Sequence, residues 1–90
     1  MRKRIEVFYS GQVQGIGFRL NVERLAVDLD IRGWVKNLSD GRVQLVGEAV
    51  EEALKDFLER IKQRFSVYIS DIDLQWLAAT GEFPDFQIRF

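Results

Sequence analysis

The stretch of this chain best suited to chemistry is Ser10-Gly11-Gln12-Val13-Gln14-Gly15-Ile16-Gly17-Phe18-Arg19. Gly15 and Gly17 can take backbone angles closed to other residues, so consecutive N–H groups can turn toward one point. A helix is expected to begin just after them, adding unpaired N–H groups and the positive end of its dipole. Arg19, in its first turn, adds a planar guanidinium that matches two phosphate oxygens at once. Together these residues describe a socket for a small tetrahedral oxyanion. They also fit a plain strand-to-helix turn followed by a solvated arginine. The segment is not a P-loop, because no Gly-Lys-Ser/Thr appears. It is not a dinucleotide fingerprint either, because the third glycine would fall at Leu20.

The second candidate is Asn37, between Gly33-Trp34-Val35-Lys36 and Leu38-Ser39-Asp40-Gly41. A carboxamide at a strand end both donates and accepts hydrogen bonds, and so can hold a water in a fixed direction. Ordinary turn chemistry also favours Asn there. Two missing residue types narrow the field further. With no Cys there is no thiolate nucleophile, disulfide or Cys-based zinc site. With no His there is no imidazole base and no Ser-His-Asp triad. Any catalysis must run on Arg, Lys, Asn, Gln, carboxylates or backbone amides.

The elements that would position these groups follow from periodicity. Ile5, Val7 and Tyr9 alternate with Glu6 and Phe8 and predict a strand over residues 3–10. Phe18, Val22, Leu25, Ala26 and Leu29 mark one face of a first helix. Residues 31–37 read as a second strand. Asp40-Gly41 signals a hairpin into a third, containing Val43 and Leu45, which Gly47 is expected to end. Val50, Ala53, Leu54, Phe57, Leu58 and Ile61 predict a second helix, with Glu51/Lys55 and Glu59/Lys62 or Gln63 on its outer face. Val67 and Ile69 alternate in one register, and Ile72, Leu74 and Trp76 in the other. A bulge near Ser70-Asp71 reconciles them. After a turn at residues 80–84, Phe86, Ile88 and Phe90 form a short last strand.

This order gives an α+β fold: a ferredoxin-like βαββαβ two-layer sandwich, with two helices on one face of an antiparallel sheet, plus a short C-terminal strand. Ninety residues suit a single domain over 1–90. Thirteen Lys+Arg against fourteen Asp+Glu leave a formal net charge of −1, which argues against a general nucleic-acid binder. No apolar run reaches the ~18–20 residues of a membrane span, and the basic Met1-Arg2-Lys3-Arg4 start lacks a signal-peptide apolar region. A cytoplasmic monomer without nucleic-acid or membrane partners is expected.

Read together, Gly11-Gln-Val-Gln-Gly-Ile-Gly-Phe-Arg19, Gly33-Trp-Val-Lys-Asn37, Asp40-Gly41-Arg-Val43 and the closing Phe86-Gln-Ile-Arg89 resemble the acylphosphatase family, essentially end to end. The resemblance implies hydrolysis of small carboxylic–phosphoric anhydrides, such as acetyl, carbamoyl or benzoyl phosphate, with no metal or other cofactor. By motif position, Arg19 matches the family's phosphate-binding arginine and Asn37 its water-orienting asparagine. The backbone from Gln14 through Gly15, Ile16 and Gly17 to Phe18 matches its phosphate cradle. The chain departs from the family at Asn21, where an aromatic is usual, at Val22 for Thr, and at Gln44 for Glu. Arg64-Phe65-Ser66-Val67-Tyr68 stands in place of a Gly-Pro segment.

The implied reaction suits a chain without His or Cys. A carboxylate is a good leaving group, so positioning and charge stabilisation are the main work left. Two other classes remain open on the residues alone: a non-catalytic anion-binding module, and a ferredoxin-like interaction or regulatory domain. Further expectations attach to single features. The terminal carboxylate of Phe90 could pair with Arg19. Asp71 and Asp73 read as a solvated polar face rather than a cation site, and Arg2-Lys3-Arg4 as a solvated terminus. Trp34 and Trp76 read as core or sheet-edge packing.

Overall fold

The computed structural model describes residues 1–90. Its elements run β1 (Arg2–Gly11), α1 (Phe18–Asp28), β2 (Arg32–Asn37), β3 (Val43–Val50), α2 (Glu51–Phe65), β4 (Ile69–Ala78) and β5 (Phe86–Arg89). The sheet order is β4-β1-β3-β2-β5. The first four strands pair antiparallel, as expected, and β5 joins β2 in parallel, so the five-stranded sheet is mixed.

Strand alternation decides which side chains meet the helices. Ile5, Val7 and Tyr9 of β1, Val35 of β2, and Val43, Leu45 and Ala49 of β3 lie in the core. Phe18, Val22 and Ala26 of α1 and Leu54, Phe57, Ile61 and Phe65 of α2 close over them. Burying a side chain of this size stabilises by roughly 1.5–3 kcal/mol. Ile72, Leu74 and Trp76 face the same way opposite Tyr9, Val7 and Ile5, but stay half-exposed because β4 is an edge. Trp34 lies on the open face, under the Arg89 guanidinium at 4.7 Å.

Two boundaries differ from the sequence reading. Gly47 does not end β3, which continues to Val50. A Cβ at Gly47 would stand 3.1 Å from Ile31 Cγ2 and 3.8 Å from Leu54 Cδ2, so this glycine lets the core approach the sheet. Val50 therefore closes the strand, half-exposed, instead of opening the apolar face of α2. At its other end α2 runs past Ile61 to Phe65, because Phe65 falls one turn further along the buried face. The bulge is where the alternation requires it. Ser10 pairs with Asp71 and Gly11 with Ile69, leaving Ser70 unpaired.

Two long-range ties set the frame. Gly33 has φ +147°, and a Cβ there would lie 1.9 Å from the Val46 carbonyl oxygen, so β2 and β3 meet at a distance only glycine permits. On the open face, the Glu48 carboxylate is 1% exposed. It accepts hydrogen bonds from the N–H groups of Thr80 (3.0 Å) and Gly81 (2.9 Å), the Thr80 hydroxyl (3.0 Å) and Arg4 Nε (2.8 Å). Arg4 also pairs with Glu82 and stacks on Phe83. Glu48 thus fastens the β4–β5 connection to the centre of the sheet.

Candidate active site

The β1–α1 loop is held by its neighbours rather than by its own side chains. Gln12 N–H donates to the Tyr68 carbonyl at 2.9 Å, so the segment between α2 and β4 anchors the loop's entry. Val13 is buried. Gln14 Nε2 donates to the carbonyls of Leu38 (2.8 Å) and Arg42 (3.0 Å), bracing the loop against the β2–β3 hairpin. Ile16 packs on the core. At the exit, the Phe18 ring sits against Tyr9 (centroids 5.1 Å) and Phe65 (4.7 Å), pinning the start of α1 to both β1 and α2.

Gly15 and Gly17 both have φ +79°, the left-handed region that side chains resist. Gly17 is the N-cap of α1, and no side chain caps the helix. Its first turn carries no acidic residue. The first N–H groups and the positive end of the dipole are therefore left without an internal anion.

Beside this helix start lies a cavity of about 190 Å³, lined by Val13, Gly15, Gly17, Phe18, Arg19, Leu20, Asn37, Ile88 and Phe90. It is smaller than the ~300–1,000 Å³ of sites for drug-sized ligands and suits a small guest. Arg19 Nη1 donates to the Arg89 carbonyl at 3.2 Å, and its guanidinium stacks on the Phe90 ring at 4.8 Å. No carboxylate pairs with Arg19. The expected pairing with the Phe90 carboxylate does not form. Alternation along β5 sends the Arg89 side chain to the open face over Trp34, so the Phe90 ring comes to the helix side beside Arg19.

Asn37 is the last residue of β2, paired with Val43. Its Oδ1 is buried and has no partner. A buried acceptor left alone costs roughly 1–3 kcal/mol, which is tolerated where a ligand or water completes the set. The hairpin beyond it is closed by Leu38 N–H to the Arg42 carbonyl (2.8 Å) and by Asp40, which accepts from Arg42 N–H (3.1 Å) and Nε (2.8 Å). These bonds, backbone first, hold the exposed Asp40 carboxyl below its usual range.

Of the residues singled out in the sequence, Gly15, Gly17, Phe18, Arg19 and Asn37 come together around this cavity. Gln14 and Ile16 do not line it. The Gln14 side chain is spent on the hairpin carbonyls and Ile16 turns to the core, so both shape the loop from behind. Sequence reasoning missed the apolar rim of Val13, Leu20 and Ile88. Leu20 and Ile88 follow Arg19 and precede Phe90, but only the parallel β5 pairing unites them. Among the departures, Val22 is core and Gln44 bonds Glu6 on the open face, both away from the cavity lining. Asn21 lies one turn from Gly17 and bonds its carbonyl. Asp71 and Asp73 belong to no cluster of three or more potential metal-binding side chains.

Fold and cavity together define a ferredoxin-like frame with a small cavity at an uncapped helix start. Comparison with known proteins narrows the class. A family model described as Acylphosphatase matches residues 5–88. An acylphosphatase from Methanospirillum hungatei is 46% identical over 89 residues, covering 97% of each chain. One from Methylococcus capsulatus is 37% identical over 87 residues, covering 96% of this chain and 95% of that one. The crystal structure of acylphosphatase from Bacillus subtilis superposes with a TM-score of 0.90 at 35% identity, covering 100% of both chains. The chain belongs to the acylphosphatase family.

Proposed function

We propose that this protein hydrolyses small acyl phosphates to a carboxylate and inorganic phosphate, using Arg19, Asn37 and the backbone amides of the β1–α1 loop. The observation that carries this reading is the conjunction in one cavity of an uncapped helix start, an arginine with no carboxylate partner, and the Asn37 carboxamide with its unpartnered buried oxygen. The phosphoryl oxygens sit on the Gly15–Phe18 backbone and the Arg19 guanidinium, which neutralise charge as it spreads in the transition state. Asn37 Oδ1 accepts a hydrogen bond from a water and aims its oxygen at phosphorus, in line with the departing carboxylate. The water's oxygen bonds to phosphorus as the bond from phosphorus to the acyl oxygen breaks. The electron pair leaves with the carboxylate, and the water's proton passes to a phosphoryl oxygen. No protein acid is needed for so good a leaving group. The acyl group lies outward, against the rim of Leu20, Ile88 and Phe90.

Hydrolysis of benzoyl phosphate in excess EDTA, by the wild type, Arg19→Gln and Asn37→Ala, tests the reading. Loss of Arg19 is expected to lower kcat/KM by roughly a hundredfold to a thousandfold, equivalent to ~2.7–4 kcal/mol of transition-state stabilisation. Inorganic phosphate is expected to raise the Tm of the wild type but not of Arg19→Gln. Protection by phosphate without turnover would instead favour a non-catalytic anion-binding module. Full activity in Arg19→Gln would overturn the assignment of the site.

A further inference from the structure

The Gly17 carbonyl accepts two hydrogen bonds from one residue, from the Asn21 backbone N–H at 3.1 Å and from Asn21 Nδ2 at 2.8 Å. The first is an ordinary helical bond and the second is extra. Asn21 Oδ1 in turn accepts from Arg64 Nη1 at 2.7 Å. Arg64 is the next-to-last residue of α2 and makes no ion pair. A continuous chain therefore runs from a cation on α2, through a carboxamide on α1, to the peptide that begins the helix.

That peptide joins Gly17 to Phe18, and both residues line the cavity. A trans peptide is a rigid plane whose C=O and N–H point in opposite directions. Holding the carbonyl from the helix side thus holds the Phe18 N–H away from it. This N–H has no partner within the helix. Gly17, at φ +79° and with no side chain, does little to fix the plane itself. A Ser or Asp at the N-cap would put an acceptor on the N–H of Arg19 or Leu20, beside the cavity, without holding the Gly17–Phe18 peptide. Asn21 grips the same peptide from behind and leaves its donor free. Both side-chain bonds lie at the surface, so what they supply is orientation of the peptide.

We infer that Asn21 and Arg64 are positioning residues that orient the Phe18 N–H toward the substrate's phosphoryl oxygens. The inference rests on the function proposed above. Neither residue touches the substrate. The aromatic usual at position 21 in the family, as the resemblance has it, could not make this pair of bonds.

The test is steady-state kinetics on benzoyl phosphate, with inorganic phosphate as competitive inhibitor, for Asn21→Ala, Arg64→Leu, Arg64→Lys and the double variant Asn21→Ala/Arg64→Leu. The Tm of each is recorded and assays are run far below it. Asn21→Ala and Arg64→Leu are expected to weaken phosphate inhibition and lower kcat/KM by roughly three- to tenfold, the net worth of one hydrogen bond. Arg64→Lys is expected to recover most of the Arg64→Leu loss. The double variant is expected to be little worse than Asn21→Ala alone, because both substitutions cut one chain. Unchanged phosphate inhibition and kcat/KM in Asn21→Ala, with Arg19→Gln crippled, would overturn this inference alone. Full activity in Arg19→Gln would instead remove the reading beneath it. A purely structural role would shift Tm and leave phosphate inhibition as it was, which also counts against the proposal.

Discussion

Asn37 lines the cavity, and its buried side-chain oxygen has no protein partner. The fold draws no protein hydrogen bond from that oxygen, so replacing it removes none. Asn37→Ala is therefore expected to lose at least about a hundredfold in kcat, through a misdirected water, while melting no lower than the wild type. Kinetics beside thermal denaturation check both halves, and a large drop in Tm would contradict this account. Spacing alone offered Arg19 and Asn37 beside plainer readings, and the structure brings both to one cavity. Gln14 was legible only as part of a loop. Its partners, the carbonyls of Leu38 and Arg42, are 24 and 28 residues away, and no local pattern announces them. Glu48 was hidden for the same reason: it fell beyond the strand end expected at Gly47, and its partners Arg4, Thr80 and Gly81 are 44, 32 and 33 residues away.

At the scale of elements, periodicity located both helices and every strand, including the bulge at Ser70. It erred where a small residue serves packing rather than punctuation. Gly47 looked like a strand end, yet it sits in the middle of β3 under Ile31 and Leu54. Gly33 was read only as a neighbour of Asn37, but its contact with the Val46 carbonyl sets the spacing of β2 on β3. Gly33→Ala is expected to destabilise the protein by roughly 3 kcal/mol or more, because a side chain there collides with backbone that cannot swing aside. Urea denaturation would measure it. A loss below about 1 kcal/mol would show that the two strands can part cheaply.

For the whole molecule, the sheet's open face carries the pH dependence. Burial alone pushes the Glu48 carboxyl up, but the Thr80 and Gly81 N–H groups, the Thr80 hydroxyl and Arg4 outweigh it and bring its pKa from 4.5 to about 2. A carboxyl depressed by folding stabilises fully above its unfolded value and loses that contribution as pH falls through the folded one. The difference is worth about 3 kcal/mol, lost between about pH 5 and pH 2. Glu48→Gln should be less stable than the wild type at pH 7, and the gap should narrow toward pH 2. A constant gap across that range would mean the charge is immaterial and only the shape of the cap counts.

Phe18, wedged between Tyr9 and Phe65, ties the first peptide of α1 to the two layers of the sandwich at once. The cavity at the start of α1 is therefore an outcrop of the interior rather than an appendage to it. On heating, turnover should climb smoothly with temperature and then vanish along the same sigmoid as near-ultraviolet ellipticity. A fall in rate several degrees ahead of that signal would reveal a seam between the hollow and the mass beneath it.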